Sequence, residues 1–141
     1  MEYLKSFAVS AAGMSVERTR VEVASLNLAN AHTVQAPGAA SFQPLHVVAT
    51  ASAGFGDLVE QGLQAGALPV ATVEPSAVAP RMVHEPAHPL ADARGYVAYP
   101  GVDPATEMVT LMSATRAYEA NVAAMNTARM LVLKALEIGR T

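Results

Sequence analysis

The sequence predicts a mainly α-helical protein with a small β part. Long N- and C-terminal helices pair as a coiled-coil-like hairpin, and a short β-rich, Pro/Gly-rich middle region lies between them. Three observations predict this class. All nine prolines lie between Pro37 and Pro104. Apolar or small residues recur at spacings of three and four in both proline-free ends. The composition is 52% hydrophobic and 15% charged, and 29 of the 141 residues are Ala and 17 are Val. The predicted segments are 1–36, 37–102 and 103–141.

The first element is a helix over about residues 3–33. Its apolar or small positions follow the spacing of a helix that pairs with another helix. Arg18 interrupts this pattern, and Gly13 costs about 1 kcal/mol relative to Ala in a helix interior. The Pro37-Gly38 pair ends any continuation of the helix. The predicted seam consists of Leu4, Phe7, Ala11, Met14, Val21, Ser25 and Leu28.

The middle region contains short runs that are typical of strands, separated by Pro and Gly. Some of these runs carry prolines at their margins, as edge strands do. We therefore expect a small β body of one or two hairpins. The predicted strands are 45–50, 68–73, 81–83 and 95–99, and a glycine-rich loop is expected at 54–66.

The C-terminal element is a second, longer helix. Asp103 is a good N-cap, Pro104 suits the first helical position, and Glu107 lies in the first turn, where the helix dipole favours negative charge. Gly139 is expected to end the helix in a left-handed conformation. About 36 helical residues extend for about 54 Å, whereas a compact chain of this length is about 37 Å across. The predicted seam consists of Met108, Leu111, Thr115, Tyr118, Val122, Met125, Arg129, Val132 and Leu136.

The side of this helix that faces away from the predicted seam is unusually apolar. A helix packed against one partner normally carries a charged outer face. Here the off-seam positions are mostly Ala, Met and Leu, including Met130, Leu131 and Leu133. Such a long exposed apolar surface is rare in a monomer. We therefore expect burial against further copies or homologous subunits, and the alternative is a small-residue surface tolerated because Ala favours helix.

Composition excludes several classes of protein. Without Cys there is no disulfide framework and no thiolate metal site. A net charge of −3 with nine scattered Lys and Arg argues against nucleic acid as a partner. No stretch suits a membrane span, because the long uncharged run 31–56 contains prolines and polar residues. The N-terminus also lacks the pattern of a cleaved signal peptide.

One motif suggests catalysis, namely His84-Glu85-Pro86-Ala87-His88, which satisfies the zinc-peptidase pattern H-E-x-x-H. That chemistry needs both His on one helical face. Pro86 lies inside the motif and Pro89 follows it, so a turn is the better interpretation. The glycine pair at 54–56 also lacks the third Gly of a dinucleotide loop. We expect no catalytic residue, no metal and no cofactor.

The two terminal blocks resemble the bacterial flagellar rod and hook proteins. Ser10–Arg20 and Ser25–Thr33 are similar to that family's N-terminal signature, which is centred on N-[LI]-A-N. The C-terminal likeness is carried by Gly95–Pro100, Ser113–Asn121 and Lys134–Gly139, and 84–92 resembles a turn of the same family. The chain departs from the pattern at Phe42-Gln43-Pro44, at His84, where Tyr is usual, and at Gly101, where Asn is usual.

The resemblance implies a non-enzymatic function. In the family the terminal helices line a hollow axial tube, the middle segment faces outward, and neighbouring subunits bury the outer helix faces. The implied partners are other copies of the chain, other rod proteins, the hook-basal body complex and the export apparatus. The implied location is the periplasmic rod of the basal body, reached by type III export without signal cleavage.

The residues predicted to form subunit contacts lie on both helices. Asn27 and Asn30 have two possible roles, either bonding backbone groups near the helix end or bonding across subunits. Two alternative functions remain open, a helical-hairpin adaptor that does not polymerise and, more remotely, a zinc hydrolase that uses His84, Glu85 and His88. The predicted contact residues are Leu4, Phe7, Met14, Val21, Asn27, Leu28, Asn30, Met108, Leu111, Tyr118, Glu119, Asn121, Val122, Met125, Leu131, Leu133 and Leu136.

Overall fold

Along the chain, a long helix comes first, four short strands follow, and a second long helix comes last. A computed structural model describes residues 2–51 and 68–139. The elements are α1 (Glu2–Asn30), β1 (Leu45–Ala51), β2 (Pro69–Pro75), β3 (Arg81–His84), β4 (Tyr96–Tyr99) and α2 (Pro104–Ile138). The predicted helices and strands are therefore confirmed to within a few residues at each end. The loop predicted at 54–66 lies outside the described residues, and the three-segment division of the chain stays a prediction.

The strands form two separate two-stranded sheets, β1 with β2 and β3 with β4. In the antiparallel β3–β4 pair, Arg81 lies opposite Tyr99 and His84 lies opposite Tyr96. Gln35 adds a bridge to Ala98 through two backbone hydrogen bonds of 2.9 and 3.0 Å. The prediction of one or two hairpins is thus confirmed.

Local residues explain where the helices and turns begin and end. The Asp103 carboxylate accepts hydrogen bonds from the Ala105 N–H at 3.2 Å and from the Thr106 hydroxyl at 2.5 Å, as expected of an N-cap. Gly38 has φ +85°, and the Ala39 N–H donates to the Ala36 carbonyl, so residues 36–39 form a type II turn. The left-handed cap predicted at Gly139 is wrong, because its φ does not lie in the left-handed region.

The chain divides into two compact units, and each contains parts of both helices. The first comprises Met1–Thr19, Val48–Thr72 and Ser113–Thr141. Within its described residues, the helices approach closely where Gly13 faces Asn121. A Cβ added at Gly13 would lie 3.0 Å from both polar atoms of the Asn121 amide. Val16 and Ala114 are buried in the same unit. Small side chains thus set the distance between the two helices there.

The second unit comprises Arg20–Val47 and Val73–Met112. Its core joins the end of α1 to the β3–β4 sheet. Val97 is fully buried and has the largest apolar side chain of this core. The other buried residues are Val23, Ala24, Asn27, Ala31, Pro44, Gly95, Ala98 and Pro100.

The hairpin of terminal helices is confirmed, but the seam assigned from the sequence is only partly correct. None of its described members is fully buried, since some are half-buried and the others are exposed. The fully buried helix positions are instead small or short side chains next to the predicted ones, because close helix packing leaves no room for long ones. The half-buried members are Phe7, Met14, Val21, Leu28, Leu111, Val122, Met125 and Val132. The exposed members are Ala11, Ser25, Met108, Thr115, Tyr118, Arg129 and Leu136.

Gly101 gives the first testable prediction. A Cβ at this position would lie 2.5 Å from Cγ1 of Val78 and 2.7 Å from the Ala79 carbonyl oxygen. Any side chain there must push the backbone of residues 78–79 away. We expect Gly101→Ala to lower the free energy of unfolding by about 1–3 kcal/mol, measured by urea denaturation. Gly139→Ala is the matched control, because its nearest contact would be an ordinary 3.6 Å. Equal unfolding midpoints for the two variants would contradict the packing argument.

Two carboxylates make stability depend on pH. Backbone hydrogen bonding, chiefly from Tyr96, lowers the pKa of Asp92 below its ordinary 3.8, and the Thr106 hydroxyl chiefly lowers that of Asp103. A lowered folded-state pKa contributes stability above the unfolded value, and this contribution disappears as the pH falls below 3.8 through the folded value. The double variant Asp92→Asn/Asp103→Asn keeps a hydrogen-bond acceptor at each position but removes the negative charge. We expect the free energy of unfolding of this variant to fall less steeply with decreasing pH than that of the wild type. Identical pH dependences in the two proteins would refute this prediction.

Candidate assembly surface

Half of the exposed large apolar side chains of the described residues lie on α2. Near its C-terminal end the exposed fractions are 58% for Met130, 50% for Leu133, 61% for Leu136 and 76% for Ile138. Near its beginning Met108, Val109 and Met112 are more than half exposed. Groups of exposed apolar side chains of this kind mark interaction sites in soluble proteins.

The charges on this helix are too few to explain the surface as a solvated face. Between Met108 and Ile138 only five residues are charged. The opposite side of α2, which includes Ala114 and Asn121, faces α1. The structure exposes bulky Met and Leu side chains in addition to the small Ala side chains considered from sequence. Burial of those side chains is worth about 1.5–3 kcal/mol each.

The predicted contact residues fall into three groups by exposure. Leu4 lies in α1, and its side chain is outside the described part. Asn27 is buried. The half-buried residues are Phe7, Met14, Val21, Leu28, Asn30, Leu111, Asn121, Val122 and Met125. The exposed ones are Met108, Tyr118, Glu119, Leu131, Leu133 and Leu136. Their role in subunit contacts stays a prediction.

Sequence reasoning missed part of the exposed surface. Val109, Met112 and Ile138 are exposed but were not among the predicted contact residues. The spacing of four from Met108 to Met112, and again from Met112 to Arg116, is a signal that both methionines share one face of the helix. This signal was overlooked because the predicted seam placed Met108 against α1.

Asn27 joins α1 to the first strand and corrects one expectation. Its side-chain amide donates to the Leu45 carbonyl at 2.7 Å, and the Leu45 N–H donates back to its side-chain oxygen at 2.9 Å. Only 1% of the residue is exposed. Asn27 therefore takes the backbone-bonding role, although it bonds a distant segment instead of its own helix end.

Asn30 makes local bonds. Its amide donates to the Leu26 carbonyl one turn earlier at 2.9 Å. Its side-chain oxygen lies 3.5 Å from the Thr33 hydroxyl. These contacts belong to the end of α1, and they leave Asn30 half-buried. The two asparagines of the motif thus have different structural roles.

Asn121 lies opposite Gly13 on the inner side of α2. Its amide donates to the Ala117 carbonyl of its own helix at 3.0 Å, which fixes the side-chain orientation. The side chain fills the space that the missing Cβ of Gly13 leaves. The pair is a knob-in-hole contact between two particular positions, so it also fixes the register of the helices.

The H-E-x-x-H motif lies at the end of β3 and in the loop that follows, not on a helix, as its prolines predicted. The Glu85 carboxylate accepts a hydrogen bond from the Tyr99 hydroxyl at 3.1 Å. Burial, followed by this hydrogen bond, raises the pKa of Tyr99. His88 Nδ1 accepts from the Leu90 N–H at 3.1 Å. These residues stabilise a hairpin loop, and their geometry differs from the helical His pair of a zinc peptidase.

The loop from Glu85 to Gly95 is closed by Asp92. One carboxylate oxygen accepts the N–H groups of Arg94 and Tyr96, both at 2.8 Å. Gly95 has φ +78°, and a Cβ there would lie 3.0 Å from Pro86 Cβ and 3.1 Å from His84 Nε2. Within residues 2–51 and 68–139 no three or more metal-ligating side chains come together. Neither helix, over the residues described, is long and apolar enough to cross a membrane.

The described residues combine a hairpin of long terminal helices, the second of which exposes apolar side chains, with a small β part. The family of the flagellar basal body rod FlgEFG protein C-terminal region matches residues 93–138, which include β4 and all of α2. Over these residues the chain is similar to the flagellar rod proteins.

Full-length relatives specify the family further. The chain is 38% identical to the flagellar basal-body rod protein FlgC of Escherichia coli O157:H7 over 140 residues, covering 99% of this chain and 100% of that protein. It is 37% identical, with the same coverage, to FlgC of Salmonella typhimurium. FlgC of Bacillus subtilis is 37% identical over 150 residues, again covering 99% and 100%. The chain belongs to the FlgC family of flagellar basal-body rod proteins, which indicates the basal body as its location.

The two asparagines of the N-terminal motif provide a matched pair for a stability test. Asn27→Ala leaves the N–H and C=O groups of the half-buried Leu45 without these partners, so we expect a loss of about 1–3 kcal/mol in unfolding free energy. Asn30→Ala removes only local contacts, and we expect at most about 0.5 kcal/mol. Urea denaturation measures both variants. Equal losses would show that the Asn27 contact has no special role.

Proposed function

We propose that this chain is a structural subunit of the proximal flagellar rod that polymerises through its terminal helices. The assembled helices form the wall of a hollow shaft, which transmits torque and leaves a channel for later axial subunits. The supporting observation is the bulky apolar surface on the outer face of α2, which the chain itself leaves in water. Full-length similarity to rod proteins supports the location of this assembly.

The energetics favour assembly over a solitary hairpin. Leu131, Leu133, Leu136 and Ile138 are each at least half exposed. Burial of such side chains against neighbours gains about 25 cal/mol for each Å² removed from water. In a hollow shaft several neighbours surround each helix pair, so one chain buries apolar surface on more than one side. The partners are other copies of the chain and other rod subunits, within the hook-basal body complex.

The route to the rod follows from the same proposal. The resemblance to axial proteins implies delivery by the flagellar type III export apparatus and assembly in the periplasm. The small-residue contact between Gly13 and Asn121 supports this route in one respect. Because it buries little apolar surface, the helix pair depends on its neighbours for much of its stability and opens readily for transport.

A charge on the exposed apolar face tests the proposal. Leu136→Glu places a carboxylate at a position that is 61% exposed, so we expect the free subunit to keep its fold and its circular dichroism spectrum. In the rod that carboxylate would be buried without a partner. We expect its incorporation to fall at least about tenfold, since an unpaired buried charge costs several kcal/mol. The readouts are quantitative blotting of purified basal bodies and swimming in soft agar.

Val73→Glu is the matched control, because Val73 is 46% exposed on β2, in the region expected to face outward. This variant should enter the rod as the wild type does. Normal incorporation of Leu136→Glu would contradict the proposal. A wild-type chain absent from basal bodies but present in another complex would favour the non-polymerising adaptor.

A further inference from the structure

A cleft lies where the later part of α1, the start of β1 and the first turns of α2 meet within the second unit. Its volume is about 190 Å³. Val23 and Ala24 are buried in its lining, which makes the floor apolar. Two opposite charges, Arg20 and Glu107, also line it. Leu45 and Val47 of β1 supply the remaining apolar lining. The cleft therefore suits a segment that presents both apolar groups and charges of both signs.

The same chain carries a segment of this description near the end of α2. Met130, Leu133, Lys134 and Glu137 are spaced as i, i+3, i+4 and i+7, so they share one face of the helix. All four are exposed. We name these four residues the 130–137 face. Along the helix, the apolar Met130 and Leu133 precede the charged Lys134 and Glu137, and the two charged residues are about one turn apart.

The charges of the cleft and of the 130–137 face are complementary. Lys134 matches Glu107, and Glu137 matches Arg20, so each cleft charge has an opposite one on the face. Met130 and Leu133 match the lining formed by Val23 and Leu45. Complementary charges fix the register and direction of a contact, while the apolar groups contribute most of the affinity.

We propose that the 130–137 face of one copy docks into the Arg20/Glu107 cleft of a second copy. The face cannot fill the cleft of its own chain, because Glu107 and Lys134 lie 27 residues apart in the single helix Pro104–Ile138, or about 40 Å. Cleft and face are different surfaces, so the contact is head-to-tail and repeats without closing. The inference rests on the proposed rod function and names one contact within it.

Cysteine cross-linking tests the contact directly, because the chain contains no Cys of its own. His46, which also lines the cleft, and Met130 are both exposed. Purified basal bodies from a strain expressing the double variant His46→Cys/Met130→Cys are oxidised and run on a non-reducing gel. We expect a ladder of dimers and larger multimers, and no ladder from either single variant. Met82→Cys/Met130→Cys is the matched control, because Met82 is exposed on β3 away from the cleft lining.

Three cross-linking results would overturn the proposal. An incorporated double variant that gives no ladder excludes proximity of the two surfaces. Dimers from a single variant indicate a symmetric contact instead. A product whose mass is not a multiple of this chain shows that another protein occupies the cleft.

Charge reversal gives an independent readout that does not depend on disulfide geometry. Glu107→Lys and Lys134→Glu should each reduce incorporation into basal bodies by about tenfold, since close charge pairs couple strongly across interfaces. The double reversal should restore incorporation to within about twofold of the wild type. Glu119→Lys combined with Lys134→Glu is the control that should not be rescued.

The outcomes separate this inference from the rod proposal. Failure of the double reversal to restore incorporation, with the wild type present in basal bodies, overturns the docking contact alone. A wild-type chain that never enters the basal body overturns the rod proposal itself. Circular dichroism of each purified variant confirms that the fold is retained.

Discussion

The close contact between α1 and α2 is the constraint on which the rest of the structure depends. At Gly13 an added Cβ would lie only 3.0 Å from the polar atoms of the Asn121 amide, which is a tight contact. Val16 and Ala114 are buried in the same unit. Helices this near to each other accept only small or short side chains along their seam. The large apolar residues must therefore lie beside the seam or outside it, and this is why α2 exposes a row of Met and Leu.

The middle region is tied to this helix pair through backbone contacts rather than through a large apolar core. The Asn27 side-chain amide pairs with the backbone of Leu45 as a neighbouring strand would, since it donates to the Leu45 carbonyl and accepts from the Leu45 N–H. Gln35 then pairs with Ala98 in the same way that a strand would. Val97 fills the space beneath that sheet. A few specific hydrogen bonds thus determine where the strands begin, and exposed residues such as Met82 contribute little to holding them.

The sequence predicted the elements well because each has a local cause. Asp103 and Pro104 start α2 by capping and by fixed backbone geometry, and Pro86 prevents a helical metal motif; neither effect depends on distant residues. The seam was harder to predict, because large residues at heptad spacing resemble an inner stripe whether they face a partner helix or a neighbouring subunit. Only the close approach at Gly13 distinguishes the two. The bond between Asn27 and Leu45 is likewise invisible in the sequence, since 18 residues separate its partners.

An apolar surface alone does not specify how subunits join, and the charges on the surface of this chain supply what is missing. Methionine and leucine side chains pack against many shapes, so a face made of them gives affinity without direction. Lys134 and Glu137 on α2, together with Arg20 and Glu107 in the cleft, distinguish one orientation from its reverse, because a reversed segment would place like charges together. Each docked copy still presents its own free cleft or free end to the next. In the proposed contact, a chain with few charges would therefore set the direction of its own assembly, because those few charges lie at the ends of the repeating contact.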